Sequence, residues 1–359
     1  MPMTIDSNTI GFGLVGAGMI ANYHAKAIAA LSAKHNIRFV GVLGTTMDKA
    51  QRFAQKHDVP FYTDDSKAFF ANPDIQVVCI VTPSGAHLEP ALEAIRAGKH
   101  LIVEKPLEIT VERVDALLDA ADQKGVKIAA IFQARFSAGA RVVKKAIDSG
   151  RFGRLVLCSA YVKWHRTAAY YSGWKGTLAI DGGGAVMNQA IHAVDLLQWF
   201  AGMPEEVFAW KTRRVHLGIE AEDTACASLK FANGALGSLE ATTATFPGWE
   251  RRIEICGEFG SAAIEDDHIV HWEFRDAREE DAILLASSAQ GTSASGASSP
   301  DQISFEGHQH QIEDMVLALR CNGPLEIDGN QARNAVALVR AVYESAERGL
   351  PVKLAAPAS

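Results

Sequence analysis

Cysteine is scarce in this chain. Its five cysteines, Cys79, Cys158, Cys226, Cys256 and Cys321, are scattered, odd in number and never spaced C-x-x-C. That excludes a disulfide framework or a cysteine-built metal cluster and fits a reducing, cytoplasmic compartment. Cys79, Cys226 and Cys256 lie in strand-like apolar runs, where small core residues are expected. Long apolar runs are missing too, and none approaches the roughly 20 residues that a membrane-spanning helix requires. Residues 1–9 have neither a basic segment nor an apolar core, so no secretory signal is expected there. Positive charge is not in excess: 35 Lys and Arg stand against 42 Asp and Glu, a net charge of −7. Nucleic acid and anionic membrane are thereby excluded as main partners. No internal repeat is present.

What is present is a chain of 359 residues, 48% hydrophobic and 21% charged, the composition of a soluble globular protein of two domains. Strand-like runs at 37–43, 75–81, 100–103 and 126–132 alternate with helical patterns at 22–34, 49–56, 86–97 and 111–124. This rhythm predicts a doubly wound parallel sheet, an α/β Rossmann domain over 1–132. From about residue 153 alternating strands follow one another at 155–164, 207–215, 224–231, 235–243, 251–256 and 261–264. Asn233-Gly234 marks a tight turn between two of them. They predict an α+β domain with a mostly antiparallel open sheet over 133–359, closed by helices near 306–320 and 331–348. The Ser/Ala/Gly-rich stretch 285–300 reads as a surface loop. The strands carry apolar or small residues on both faces, so a homodimer or homotetramer through this sheet is expected.

The first strand, Ile10 to Val15, runs into Gly16-Ala17-Gly18-Met19-Ile20-Ala21 and then a helix. A strand, a G-x-G-x-x-A turn and a helix N-terminus form the dinucleotide fingerprint. Gly16 allows the turn, Gly18 lets a pyrophosphate approach, and the helix end, with Met19 and Ile20, receives its charge. Other polar segments fall at the carboxyl ends of predicted strands, where ligands of such sheets bind: Gly44-Thr45-Thr46, Thr82-Pro83-Ser84, Glu104-Lys105-Pro106 and Gln133. Lys105, held in an extended turn before a proline, is placed to stabilise a developing alkoxide. The bland alternative is a solvated lysine.

A second cluster begins at Asp181-Gly182-Gly183-Gly184 and continues into an apparent helix bearing Asn188, His192 and Asp195 on one face. His192 reads equally well as a proton acceptor or as a packed core histidine. The segment Lys163-Trp164-His165-Arg166, with Arg135, Tyr170 and Tyr171, supplies substrate-contact candidates suited to a sugar acid or sugar nucleotide. Rim ion pairs are the commoner use of such cations. His308 and His310 stand near Glu306 and Glu313 without a recognisable partner cluster, so no metal site is expected.

Taken together, G-A-G-M-I-A, T-P-S-G-A-H, A-I-R-A-G-K-H-L-I-V-E-K-P-L, G-G-G…H-A-V-D, I-C-G-E-F-G-S-A and A-V-Y-E-S-A span essentially the whole chain. In order and spacing the chain resembles the glucose–fructose oxidoreductase, inositol dehydrogenase and rhizopine-catabolism (Gfo/Idh/MocA) family. The resemblance implies reversible hydride transfer between NAD or NADP and a carbinol carbon of a sugar, cyclitol or related polyol. It implies Lys105 as the catalytic lysine and His192 as the general acid/base. Thr82, Pro83, His87 and Glu104 would line the cofactor; Trp174-Lys175 matches a pair that in some members reaches its nicotinamide end, and Trp174 reads equally well as a packing aromatic.

Two departures from the family pattern stand out. Asn188 occupies a position that often carries Asp, so a three-member acid/base set is in question. Gly44-Thr45-Thr46 replaces the acidic turn of NAD-preferring members, and with Lys49 it favours NADP. Two further functions are open to such a chain. One is an NAD-dependent glycosidase without net redox, marked by steady coenzyme absorbance during turnover. The other is a non-catalytic nucleotide-binding regulator, which would have no need of both Lys105 and His192.

Overall fold

The structure, a computed structural model, describes residues 9–288 and 304–354. The first third alternates β1 (Ile10–Val15), α1 (Ala21–His35), β2 (Ile37–Leu43), α2 (Met47–His57), β3 (Phe61–Thr63) and α3 (Ser66–Phe70). It continues through β4 (Val77–Ile80), α4 (Leu88–Arg96), β5 (His100–Val103), α5 (Val111–Lys124) and β6 (Ile128–Ala130). Next come α6 (Ala138–Asp148), β7 (Leu155–Lys163), α7 (Ile191–Ala201), β8 (Pro204–Thr212), β9 (Thr224–Phe231) and β10 (Leu236–Thr242). The order closes with β11 (Arg252–Gly257), β12 (Gly260–Glu265), β13 (His268–Phe274), α8 (Glu279–Ser288), α9 (Glu306–Arg320), α10 (Gly329–Arg348) and β14 (Val352–Lys353).

The chain divides into two compact units. Among the described residues, the first holds those up to Glu108, then Glu112–Gln133 and Phe305–Arg333, and the others form the second. This division differs from a single cut at 132/133 in placing Ile109–Val111 in the second unit and Gln133 and Phe305–Arg333 in the first. The apolar face of α9, including Ile312, Met315 and Val316, shares a core with Ile28 and Leu31 of α1, and burial of that face returns the helix to the first unit.

The first unit is a parallel sheet in the order β3-β2-β1-β4-β5-β6. Its central strands are covered on both faces, which is why they read as continuous apolar runs. Every residue of β4 is buried. The strand order reverses between β1 and β4, the point where such sheets receive their ligands.

In the second unit the sheet runs β13-β12-β11-β7-β10-β9-β8-β14. β7 and β10 pair in parallel and the other neighbours are antiparallel. Gly234, with φ +89°, turns β9 into β10. α7 packs on β7 and β11. Cys226 points out of the sheet's opposite face and is exposed, and Cys256 is half-buried, so only Cys79 is the core cysteine expected of the three. Strand parity shows that such residues alternate but not which face is covered. Of the stretch 285–300, the first residues extend α8, and 289–300 lie outside the described residues. Among the described residues no helix is long and apolar enough to cross a membrane.

Candidate active site

In the first unit the chain leaves β1 at Val15 and turns through Gly16, whose φ is +113°. A Cβ there would meet the Val81 carbonyl oxygen at 2.9 Å, so glycine is required by both conformation and space. At Gly18 an added Cβ would meet nothing within 4 Å, and Met19 beside it is 51% exposed. α1 begins after Ile20 with no side-chain cap and no acid in its first turn. An open turn against an uncapped helix N-terminus suits a phosphate group. The residues present therefore fit a dinucleotide.

At the end of β2, Gly44 packs tightly on Ala50, leaving no room for an acidic side chain without displacement. Thr46 caps α2 by accepting the Lys49 N–H, and the Lys49 Nζ lies 3.4 Å from the Thr45 hydroxyl. Two acids stand nearby: Asp48 in the first turn of α2, paired with Arg52 at 2.7 Å, and Asp64 after β3, which accepts the Met47 N–H at 3.0 Å.

Beyond β4 and β5, several expected cofactor contacts have internal partners instead. The Thr82 hydroxyl donates to the Ala86 carbonyl at 2.8 Å, beside Pro83. His87 is buried, with its ring nitrogens 3.0 Å from the carbonyls of Pro106 and Thr82. Burial holds this imidazole below its ordinary pKa. A neutral ring has one N–H to donate, so it clamps the two strand-end turns with one bond at a time. The His87 side chain, expected to line the cofactor, turns both ring nitrogens to backbone carbonyls and braces the two turns.

Glu104, also expected beside the cofactor, likewise has internal partners. It is buried, and its Oε1 lies 2.9 Å from His24 Nε2 and 3.1 Å from His308 Nε2. Its Oε2 accepts the Lys105 N–H at 3.2 Å. His308 thus has the partners that the sequence did not reveal, and His24, Glu104 and His308 form the one metal-capable cluster among the described residues. Neither Nδ1 has a hydrogen-bond partner, whereas a metal-bound imidazole normally donates from its outer nitrogen. The geometry is that of a carboxylate held by two N–H donors. Lys105 itself is half-buried in the turn above it. Gln133 packs against Gly307 of α9.

In the second unit the glycine run does not open a continuous helix. Residues Ala185–Gln189 form a wide π-type turn, the Ala190 N–H reaching back to the Ala185 carbonyl at 2.9 Å, before α7 begins. Buried Glu222 holds this turn, accepting the Gly184 N–H at 3.0 Å and the Val186 N–H at 2.9 Å. The Tyr343 hydroxyl donates to Glu222 at 2.9 Å and accepts from Gly184 and Met187 at 3.2 Å each. A Cβ on Gly184 would lie 1.7 Å from the Glu222 carbonyl oxygen. The glycines exist for this close approach.

Asn188 lies in the turn and His192 in the first turn of α7, both half-buried. Asp195 does not join them. It is fully buried and bound by Arg135 through two bonds of 2.7 and 2.6 Å. Arg135, expected as a substrate contact, is instead engaged by this carboxylate: burial pushes the Asp195 carboxyl up, and the Arg135 guanidinium opposes that shift. Asn188 instead donates from Nδ2 to Asp181 Oδ1 at 2.5 Å.

Arg166 is buried, with its guanidinium 5.0 Å from the Trp164 ring centre and 5.3 Å from that of Tyr170; burial lowers its pKa. The Lys175 ammonium lies 3.6 Å from the Tyr170 ring centre on a segment shared with Trp174. Two cations on one half-buried ring make an electropositive surface. Burial pushes the Tyr170 and Tyr171 hydroxyls up to about 12, and Tyr171 pairs with the Thr243 hydroxyl at 2.7 Å. His165 packs edge-on to Phe246, while Lys163 is a rim cation paired with Glu240 at 2.7 Å. The sequence reading gave no role to His24, Glu222 or Tyr343; of the three, only Tyr343 stood in a quoted motif, A-V-Y-E-S-A.

Residues 10–132 match the oxidoreductase family with an NAD-binding Rossmann fold, and residues 140–263 match the GFO/IDH/MocA C-terminal domain. Inositol 2-dehydrogenase of Rhizobium meliloti is 26% identical over 358 residues, 97% of this chain and 100% of the relative. Levoglucosan dehydrogenase of Pseudarthrobacter phenanthrenivorans is 29% identical over 263 residues, 65% of this chain and 67% of its own. Among solved structures, the WlbA dehydrogenase from Bordetella pertussis, in complex with NADH and UDP-GlcNAcA, superimposes with a TM-score of 0.85. It is 32% identical, covering 97% of this chain and 99% of its own.

Proposed function

Because the chain belongs to the Gfo/Idh/MocA oxidoreductase family and is an NAD(P)-dependent enzyme acting on CH–OH donors of the sugar and cyclitol type, we propose that Lys105 and His192 carry its chemistry. The bound nicotinamide supplies the hydride acceptor. His192 takes the hydroxyl proton as the carbinol is oxidised. The Lys105 ammonium hydrogen-bonds the reacting oxygen and stabilises its developing negative charge. Asn188 orients a substrate hydroxyl. The observation that carries this reading is the placement of Lys105. It stands half-buried after β5, on the carboxyl edge that also presents the open Gly16–Gly18 turn, with Glu104 anchored beneath it by two histidines.

Arg166 and Lys175 favour a carboxylated sugar, free or nucleotide-linked, as substrate class. The UDP-GlcNAcA bound by the WlbA dehydrogenase, a relative similar over nearly its whole length, supports that class. NADP is the coenzyme favoured at the end of β2, where Gly44 leaves no acid and Lys49 offers a cation. Five free cysteines support a reducing, cytoplasmic setting. The test is a panel of sugars, cyclitols, sugar acids and sugar nucleotides assayed for coenzyme reduction with NAD and NADP. Reduction with a carboxylated sugar, and weaker reduction with its neutral analogue, is the expected result. Turnover at steady coenzyme absorbance would instead indicate chemistry without net redox.

A further inference from the structure

Asn188 is tied to Asp181, and the direction of that tie determines what the amide offers. Asp181 is 2% exposed, and both its oxygens are engaged. Its Oδ2 accepts the Gly176 N–H at 2.7 Å, and its Oδ1 accepts Asn188 Nδ2 at 2.5 Å. A carboxylate only accepts, so the NH2 end of the Asn188 amide must face it and the carbonyl end must face away. Asn188 Oδ1 in turn lies 3.3 Å from Gln189 Nε2, which also donates to the Tyr170 oxygen at 2.9 Å. With that bond accepted, the Tyr170 proton is left to donate elsewhere. One buried carboxylate thus sets the direction of three successive side chains, Asn188, Gln189 and Tyr170.

We propose that Asp181 is a positioning residue for the reaction, one that fixes Asn188 as a hydrogen-bond acceptor for a substrate hydroxyl. This rests on the reading of His192 and Asn188 as parts of the active site. In this chain the acceptor stands at position 188, and the negative charge behind it stands at position 181. A hydroxyl-bearing ligand meets a neutral acceptor four residues before His192, not an anion.

Isosteric swaps test the direction of the bonds apart from their number. In Asp181→Asn the new amide oxygen keeps the Gly176 N–H, so its NH2 must turn toward residue 188. Asn188 then has to flip, and Gln189 after it, presenting a donor where an acceptor stood. The number of hydrogen bonds is unchanged, so the melting temperature should move little. The value of kcat/KM should nonetheless fall about tenfold or more, the scale of a mismatched polar contact to substrate. Asn188→Asp alone places two carboxylates 2.5 Å apart at the wild-type geometry, and they must share a proton or separate. It should lose activity more severely.

In the double variant Asp181→Asn/Asn188→Asp, the amide at 181 accepts from Gly176 and donates to a carboxylate at 188. The original direction returns, and kcat/KM should recover to within roughly threefold of the wild type. A double variant no better than Asn188→Asp, or a fully active Asp181→Asn, would overturn the proposal. Asn188→Ala and His192→Ala test the underlying reading separately. If both retain normal turnover, the active-site assignment fails. If both are impaired while the double variant is not rescued, the role of Asp181 alone fails.

Discussion

His308 holds the Glu104 carboxylate from 204 residues further along the chain, its Nε2 lying 3.1 Å from Oε1. His24 reaches the same oxygen from α1 at 2.9 Å. The two rings pack edge to face, 5.1 Å between centres. Glu104 is also the residue before Lys105, so the lysine's turn rests on a carboxylate fixed by two helices.

This cluster makes stability fall on acidification. Burial holds His24 below its ordinary pKa. For Glu104, burial opposes ionisation, but hydrogen bonds from His24 and His308 outweigh it and hold the carboxyl well below the usual range. In the unfolded chain His24 takes up a proton below about pH 6.5 and Glu104 below about pH 4.3. The folded state resists both, so the unfolded state binds more protons and stability drops as pH falls through each window. The melting temperature should decline from pH 7 to 5 and again below 4.5. Glu104→Gln should lower it at pH 7, by roughly 1–3 kcal/mol of stability for a disrupted buried network, and flatten the lower segment. An unchanged slope in the variant would refute this account.

Lys105→Ala and His192→Ala should each lower kcat by roughly 10²–10⁴-fold, the scale of a positioned proton-transfer or charge-stabilising group. Coenzyme affinity should change far less, because neither side chain belongs to the Gly16–Gly18 turn. Steady-state kinetics with the true substrate, together with coenzyme titration, separates the two effects. Near-normal turnover in either variant would remove that residue from its role.

NADP should bind at least as tightly as NAD. The Asp64 carboxylate holds the first N–H of α2, accepting from Met47, and it would repel a 2′-phosphate there. Asp64→Asn keeps an acceptor for that N–H while removing the charge. It should tighten NADP by about threefold to tenfold, the effect of a partly screened unit charge, and leave NAD nearly unchanged. Fluorescence-quenching titrations measure both. A strong wild-type preference for NAD would mean that the Thr45 hydroxyl serves the ribose and Lys49 points to solvent.

The protein should assemble through the outer face of the second sheet. Trp210 is 61% exposed, Leu236 57% and Leu157 47%. Leu236 and Leu157 are direct neighbours across β10 and β7, and Trp210 stands opposite exposed Cys226. Apolar surface of this kind, bordered by the Lys163–Glu240 pair, has the character of an interface. Light scattering at micromolar concentration should give a dimer or a tetramer, and Trp210→Glu should shift the mass downward. A monomeric wild type would exclude the interface.

Much of the architecture was legible because strand and helix periods are local properties. β2 (Ile37–Leu43), β5 (His100–Val103), α5 (Val111–Lys124) and β9 (Thr224–Phe231) have the bounds that their patterns predicted. In β9 the alternation of exposed and buried residues follows the sequence alternation directly. β13 was missed because it is an edge strand whose residues are mostly half-buried or exposed, with no apolar face to mark it. The spacing of Asn188, His192 and Asp195 suggested one helix face. A single extra residue in the π turn before α7 changed the register, and Arg135 engaged Asp195.

By itself the sequence determined the parallel character of the first sheet, the open Gly16–Gly18 turn, the placement of Lys105 at a strand end and the mostly antiparallel character of the second sheet. Each follows from backbone geometry acting over a few residues. Only the tertiary structure decided which carboxylate each buried polar group would find. Glu104 met His24 and His308, Glu222 met Tyr343 and the glycine turn, Asp195 met Arg135, and Asp181 met Asn188. A buried charge must be satisfied by whatever donors the packed chain brings within about 3 Å. Three of those four partnerships join residues too far apart in sequence for any local period to register them.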